Sequence, residues 1–285
     1  MYPDSKFLLF RGLSIHYRVI RPKGTVAHRA LLLPSPGQSS YNWRKVVPEL
    51  LSAGCLCVLC DLPGFGYSAA GDGVPHRQDL RAQLMWGVLD HVDMELGGQL
   101  KCWNLIGHGS AAGTVAMMAM MQPDSVSSLT LINPMLYPPV PRLLARLVET
   151  AAGEAALRRW YRRNLQDRSR FRRWANWAYG KPLPYDALEA MRKPFVRLGS
   201  DEGLSKLLAQ GYRLPTDKLA ALFMPTMVLW GDRDRILGSA IPRRLRERDF
   251  PGAEYHLLRG AGHYAPETAS AAVRDYLRGW IKAMW

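Results

Sequence analysis

The sequence predicts an α/β fold, with a mostly parallel sheet of about eight strands flanked by helices. Short apolar runs such as Ala30 to Leu33, Leu56 to Leu59, Trp103 to Ile106, Ser128 to Ile132 and Met227 to Trp230 recur along the chain. They alternate with longer stretches whose apolar residues fall at helical spacing, the pattern of strand and crossover helix. Most of these runs are apolar throughout, as strands covered on both faces must be. The third observation is WNLIGHGSAAGTVAMMAM, which passes from an apolar run through a tight Gly107-His108-Gly109 turn into an Ala and Met run without proline. That reads as strand, sharp turn and helix.

Composition sets the bounds. At 285 residues the chain suits one α/β domain with an insertion or two small domains, and 48% hydrophobic against 22% charged residues is ordinary for a globular protein. MYPDSKFLLF lacks a basic segment followed by a long apolar one, and no apolar stretch reaches membrane-spanning length, so a cytoplasmic protein is expected. Cys55, Cys57, Cys60 and Cys102 all read as small core hydrophobes on buried strands rather than a metal cluster. No metal or other cofactor is expected.

In chain order, Phe7 to Phe10 and Ser14 to Ile20 make a hairpin around Arg11-Gly12. The Ala30 strand runs into PSPGQSSYNW and a helix ending near Leu51. The Leu56 strand leads to the loop DLPGFGYS, Asp61 to Ser68, where Gly64 and Gly66 permit left-handed turns. Leu80, Leu84, Val88, Leu89 and Val92 give the helix from Asp79 to Leu96. After Ile132 the alternation gives way to helix alone as far as Pro225. The sheet resumes at Met227 and at Ala253 to Leu258, with helices from Pro242 to about Arg248 and from Ser270 to Met284.

The Gly107 turn, DLPGFGYS, the G-x-x-D of Gly231 to Asp234 and the loop GAGHYAPE together resemble the α/β-hydrolase superfamily, in particular lid-bearing members with a G-H-S-x-G-G nucleophile elbow. The resemblance covers nearly the whole chain. It implies a core domain from residues 1–133 and 216–285 and a helical lid from 134–215, with His263 as the catalytic base and Asp234 as its orienting acid. It departs at the elbow apex, which is Gly109, so the position of the serine nucleophile carries no side chain. Gly107 and Ala111 are the small residues that flank such an apex, and Ser110 reads as a helix N-terminal serine whose backbone N–H is one oxyanion donor. Aligned on Trp43, the family's H-G-x positions hold Pro34, Ser35 and Pro36, and Pro36 has no N–H to serve as the second donor unless Gly37 substitutes. His108 is close enough to the apex to matter. His16, His28, His76, His91 and His256 have no comparable context and read as incidental.

The chain carries a net charge of +14, and between 134 and 215 sixteen basic residues outnumber seven acids, so most of that charge lies in the inserted segment. Ten arginines from Arg142 to Arg173 alternate with Trp160, Tyr161, Phe171, Trp174 and Trp177, as in an amphipathic helical pair. Either the arginines are solvated, or they attract an anionic ligand or an anionic membrane surface. No nucleic-acid-binding motif is present, so no nucleic-acid partner is expected. The leading expectation is a non-hydrolytic or inactive member that binds a small molecule, anionic or lipid-like, under its lid through Pro36, Gly37, His108, Ser110 and Trp174. The alternative is an enzyme using His263 and Asp234 as a general base, as a lyase, cyclase or cofactor-free oxygenase would, or a hydrolase with a non-standard nucleophile.

Overall fold

Arg11 and Gly12 both take left-handed backbone, with φ of 52° and 78°, and so close a two-residue hairpin at the sheet edge. The structure is a computed structural model that describes residues 2–71, 73–98, 102–138, 146–180, 182–212, 214–238 and 240–283. Arg142, Lys181, Arg213 and the last turn expected at Met284 lie outside the described residues. The strands are β1 (Ser5–Phe10), β2 (Leu13–Ile20), β3 (His28–Leu33), β4 (Cys55–Cys60), β5 (Trp103–His108), β6 (Val126–Ile132), β7 (Thr226–Gly231) and β8 (Glu254–Leu258). They form one eight-stranded sheet in the order β1-β2-β4-β3-β5-β6-β7-β8. β1 pairs antiparallel with β2 and β2 with β4; every pairing from β4 onward is parallel.

The longer helices among the described residues are α1 (Val47–Ser52), α2 (Gln78–Glu95), α3 (Ala111–Met121), α4 (Ala151–Tyr161), α5 (Arg168–Tyr179), α6 (Tyr185–Arg192), α7 (Ser200–Gln210) and α8 (Ser270–Ala283). Alternation along each buried strand feeds two cores. Leu31 and Leu33 of β3, with Leu56, Val58 and Cys60 of β4, face α2 and α3. Ala30 and Leu32, with Cys55, Cys57 and Leu59, face the side covered by α1 and α8. This two-sided burial is why the runs are apolar at successive positions. Cys102 departs from expectation: it precedes β5 and is only partly buried, whereas the other three cysteines are buried on β4. The helix expected from Pro242 begins at Ala240 and passes into a wider π turn at Leu245–Asp249.

Between β6 and β7 the described chain is helical. Asp167 caps α5 by accepting from Arg170 N–H at 2.8 Å, and Gly180 ends it in left-handed backbone with φ 72°. Tyr161, Phe171, Ala175, Leu188, Met191 and Phe195 form a third cluster that packs on Tyr264, just beyond β8. The segment thus sits over the loops leaving the carboxyl ends of the strands. No helix among the described residues is long and apolar enough to cross a membrane.

Candidate functional site

Strand order determines which loops meet. From β3 the chain crosses to β4 on one side, while β5 lies on the other, so the order reverses between β3 and β5 and their carboxyl-end loops diverge from a shared crevice. The β5 loop is the Gly107 turn. A Cβ built on Gly107 would lie 2.6 Å from Val115 Cγ2 and 2.8 Å from Ala111 O, so strand and helix can approach only with glycine there. Gly109 is the left-handed residue of the turn, with φ 59°, and Ser110 already has helical angles, φ −73° and ψ −14°. Gly109 N–H donates to Ile132 O at 3.0 Å and Gly109 O accepts from Met135 N–H at 3.0 Å, which pins the turn to β6.

His263 comes from the loop after β8 and Asp234 from the loop after β7, and they meet: Nδ1 and Oδ2 are 2.8 Å apart with both side chains almost fully buried. Asp234 Oδ2 also accepts from Asn133 Nδ2 at 2.8 Å, and Oδ1 accepts from the N–H groups of Ile236 and Leu237 at 2.8 and 3.0 Å. Burial pushes the Asp234 carboxyl up, but His263 and these N–H groups outweigh it and hold the acid below the usual carboxylate range. The carboxylate is therefore ionised at neutral pH and holds Nδ1 as the protonated nitrogen. Nε2 of His263 is buried and has no hydrogen-bond partner among the described residues. A Cβ on Gly109 would stand 3.3 Å from that Nε2. Asp232 is exposed and accepts from Gly260 N–H at 2.7 Å, away from the histidine.

A cavity of about 450 Å³ opens at His263. Its wall includes Ser35, Pro36, Gly37, Ser110 and Tyr264 from the core side and Trp160, Trp174, Trp177, Phe195 and Tyr212 from the helical segment. Pro36, Gly37, Ser110 and Trp174 all lie on this wall. His108 does not: it sits behind the wall, Nε2 donating to the His263 carbonyl at 2.8 Å, with Nδ1 at 3.2 Å from Gln38 Oε1. Nδ1 is then an acceptor, satisfied when the Gln38 amide exchanges its nearly equal-sized ends and turns its NH₂ there. Burial and the neighbouring His263 push the His108 pKa down to about 3, so it is a neutral prop under the His263 backbone.

No arginine of the helical segment lines this cavity among the described residues. Arg158 and Arg162 both bond Asp201, and with Arg159 and Arg163 they line a separate surface cleft of about 720 Å³. Arg168 bonds Glu189. The arginine on the wall of the His263 cavity is Arg235, next to Asp234 in sequence, which makes no ion pair among the described residues. A further cleft of about 640 Å³ around Arg243, Arg246 and Tyr255 reaches Asp234 but not His263. His16 is not incidental, since its buried ring links Asp61 Oδ2 and Ser5 Oγ, each at 2.9 Å. Asp61 also accepts from Ser40 and Tyr67 N–H, so this row ties the first hairpin to the loop after β4. Its Ser5 hydroxyl accepts from Tyr2 N–H. No cluster of metal-ligating residues occurs among the described residues. Asn133 and Tyr212 were not singled out in the sequence, and Ser35 only as a position of the loop aligned with H-G-x; Asn133 left a signal as an Asn-Pro pair at a strand end.

The family description alpha/beta hydrolase fold matches residues 31–270. Among curated relatives, the 2-hydroxy-6-oxononadienedioate/2-hydroxy-6-oxononatrienedioate hydrolase of Cupriavidus pinatubonensis is 26% identical over 92% of this chain and 89% of its own. Among solved structures, Cfl2 of Burkholderia cenocepacia superposes with a TM-score of 0.77 at 20% identity, covering 97% of this chain and 95% of its own. The enol-lactonase of Burkholderia xenovorans superposes at 0.74 and 20% identity, covering 97% of this chain and all of its own. The two superpositions are likenesses of fold.

Proposed function

The chain belongs to the α/β-hydrolase family, and from that premise we propose that it is an enzyme in which His263, oriented by Asp234, acts as general base on a small, largely apolar molecule carrying a carboxylate. In this reading residues 134–215 are the lid over a core of 1–133 and 216–285, and Ser110 N–H is one oxyanion donor. The observation that carries it is His263 Nε2, buried, unpartnered and facing the cavity, while Nδ1 is held by an ionised Asp234. A buried nitrogen without a partner costs about 1–3 kcal/mol, and a pocket that only binds has no need to keep it. For that reason the general-base reading displaces the non-catalytic one as the preferred reading. Arg235 supplies the cation for the carboxylate, and the Cupriavidus relative is named for a substrate that is a keto dioate.

One observation favours a second reading, a non-hydrolytic ligand-binding member: Gly109 offers no side chain at the nucleophile position, and Pro36 no N–H. Kinetics on esters, lactones and 2-hydroxy-6-oxo dioates separates the two. Under the first reading His263→Asn lowers kcat about a hundredfold to ten-thousandfold. Arg235→Gln raises KM for carboxylate-bearing substrates and leaves neutral ones unaffected. Binding of these compounds without turnover supports the second reading, and turnover indifferent to His263→Asn rules out the first.

A further inference from the structure

The loop after β3 holds a hydroxyl in the space that Gly109 leaves empty. A Cβ built on Gly109 would lie 2.9 Å from Ser35 Cβ and would overlap Ser35 Oγ, and the next atom it would meet is His263 Nε2 at 3.3 Å. Ser35 is buried, lines the same cavity as His263, and its Oγ makes no hydrogen bond among the described residues. Adjacency of β3 and β5 at the reversal of strand order brings these two loops together. The flanking prolines stiffen the presentation. Pro36 restricts Ser35 to extended backbone, and Gln38 N–H donates to Ser35 O at 2.9 Å, fixing the carbonyl of the turn.

We propose that Ser35 is the nucleophile of this protein, a serine delivered from the β3 loop to the point that an elbow side chain would occupy. This rests on the reading of His263 as general base. The Ser35 hydroxyl proton passes to His263 Nε2 as Oγ bonds to the substrate carbonyl carbon, and the carbonyl π electrons move onto its oxygen. The N–H groups of Gly37 and Ser110, which have no acceptor among the described residues and belong to the cavity wall, are the donors available to that developing charge. Collapse expels the leaving group, which takes the proton from His263. Water, deprotonated by His263, then cleaves the acyl–Oγ bond and returns the proton to Ser35. The net reaction is hydrolysis of an ester or comparable acyl substrate to an acid and its leaving-group partner.

The test combines a fluorophosphonate probe, peptide mapping by mass spectrometry and nitrophenyl butyrate turnover. Wild type takes one label, on Ser35. Ser35→Ala takes none and loses turnover by at least about a hundredfold with an unchanged melting temperature. Gly109→Ser alone gains nothing, since the new side chain meets Ser35; combined with Ser35→Gly it moves the hydroxyl to the elbow and restores labelling, at position 109. If Ser35→Ala keeps turnover while His263→Asn loses it, the Ser35 assignment is overturned and the general base survives, acting on water. Turnover indifferent to both substitutions removes both assignments. A label on Ser110, or a wild type that neither takes the probe nor turns over ester, overturns the Ser35 proposal.

Discussion

Single glycines in this protein differ sharply in what they hold together. At Gly107 a methyl group would press on the backbone of Ala111 and Ala112 at 2.8 Å, atoms that cannot turn aside, as well as on Val115. Gly107→Ala therefore has to push α3 off the sheet, a form of overpacking that costs about 1–3 kcal/mol. Gly24 has no atom of the described residues within 4 Å of its would-be Cβ, and its φ is not left-handed, so Gly24→Ala changes stability by less than about 0.5 kcal/mol. Urea midpoints of the two variants measure the difference; a Gly107→Ala protein as stable as wild type would mean that the strand and helix are less closely packed than described. Gly107 was readable as a small residue flanking the turn because the geometry is local. Ser35 was readable only as a position of the loop aligned with H-G-x; that its hydroxyl fills the space beside Gly109 was not, because that depends on how closely the two loops pack.

At the scale of elements, ion pairs across the helical segment decide where its charge goes. Asp201, nearly buried at the start of α7, accepts from Arg158 Nε at 2.9 Å and lies 2.7 Å from Arg162 Nη2, clamping α4 to α7. Burial pushes its carboxyl up, but the two arginines outweigh that and hold it below its ordinary value. Both arginines are partly solvated, so the clamp contributes only about 1 kcal/mol. Asp201→Asn accordingly speeds amide exchange in residues 151–161 about fivefold and leaves β5 unchanged. Equal acceleration in both would show that the helical segment opens only with the whole molecule. The helices themselves were legible from apolar spacing, and so was their net charge. The direction of the arginines was not: counting residues gives +9 for this segment, but which arginine meets which acid follows from helix packing. The cavity's own arginine, Arg235, lies outside the basic segment altogether.

Across the whole molecule, buried neutral histidines make stability depend on pH before the carboxylates do. His76 is pushed down to about 2 by burial and by the adjacent Arg81 and Lys206, and His108 to about 3 by burial and His263. Arg81, fully buried and 2.7 Å from His76 Nδ1, needs that ring as an acceptor, so protonating His76 would both charge the core and remove the acceptor. In the unfolded chain both rings take up a proton near pH 6.5. The unfolded state then binds more protons than the folded one, so stability is fully present above pH 6.5 and falls as the pH drops toward the folded values. Each ring removes about 1.4 kcal/mol per pH unit once well below 6.5. Between pH 6.5 and 4.5 the ionised pairs at Asp234 and Asp201 are still intact, because their acids titrate lower. The urea midpoint should therefore fall steadily over this interval, and the fall should be clearly shallower in either His76→Gln or His108→Gln, since each substitution removes one proton from the unfolded state, while His28, also held low by burial, contributes a remainder in both. A midpoint constant from pH 6.5 to 4.5 would mean that neither ring is held neutral in the core.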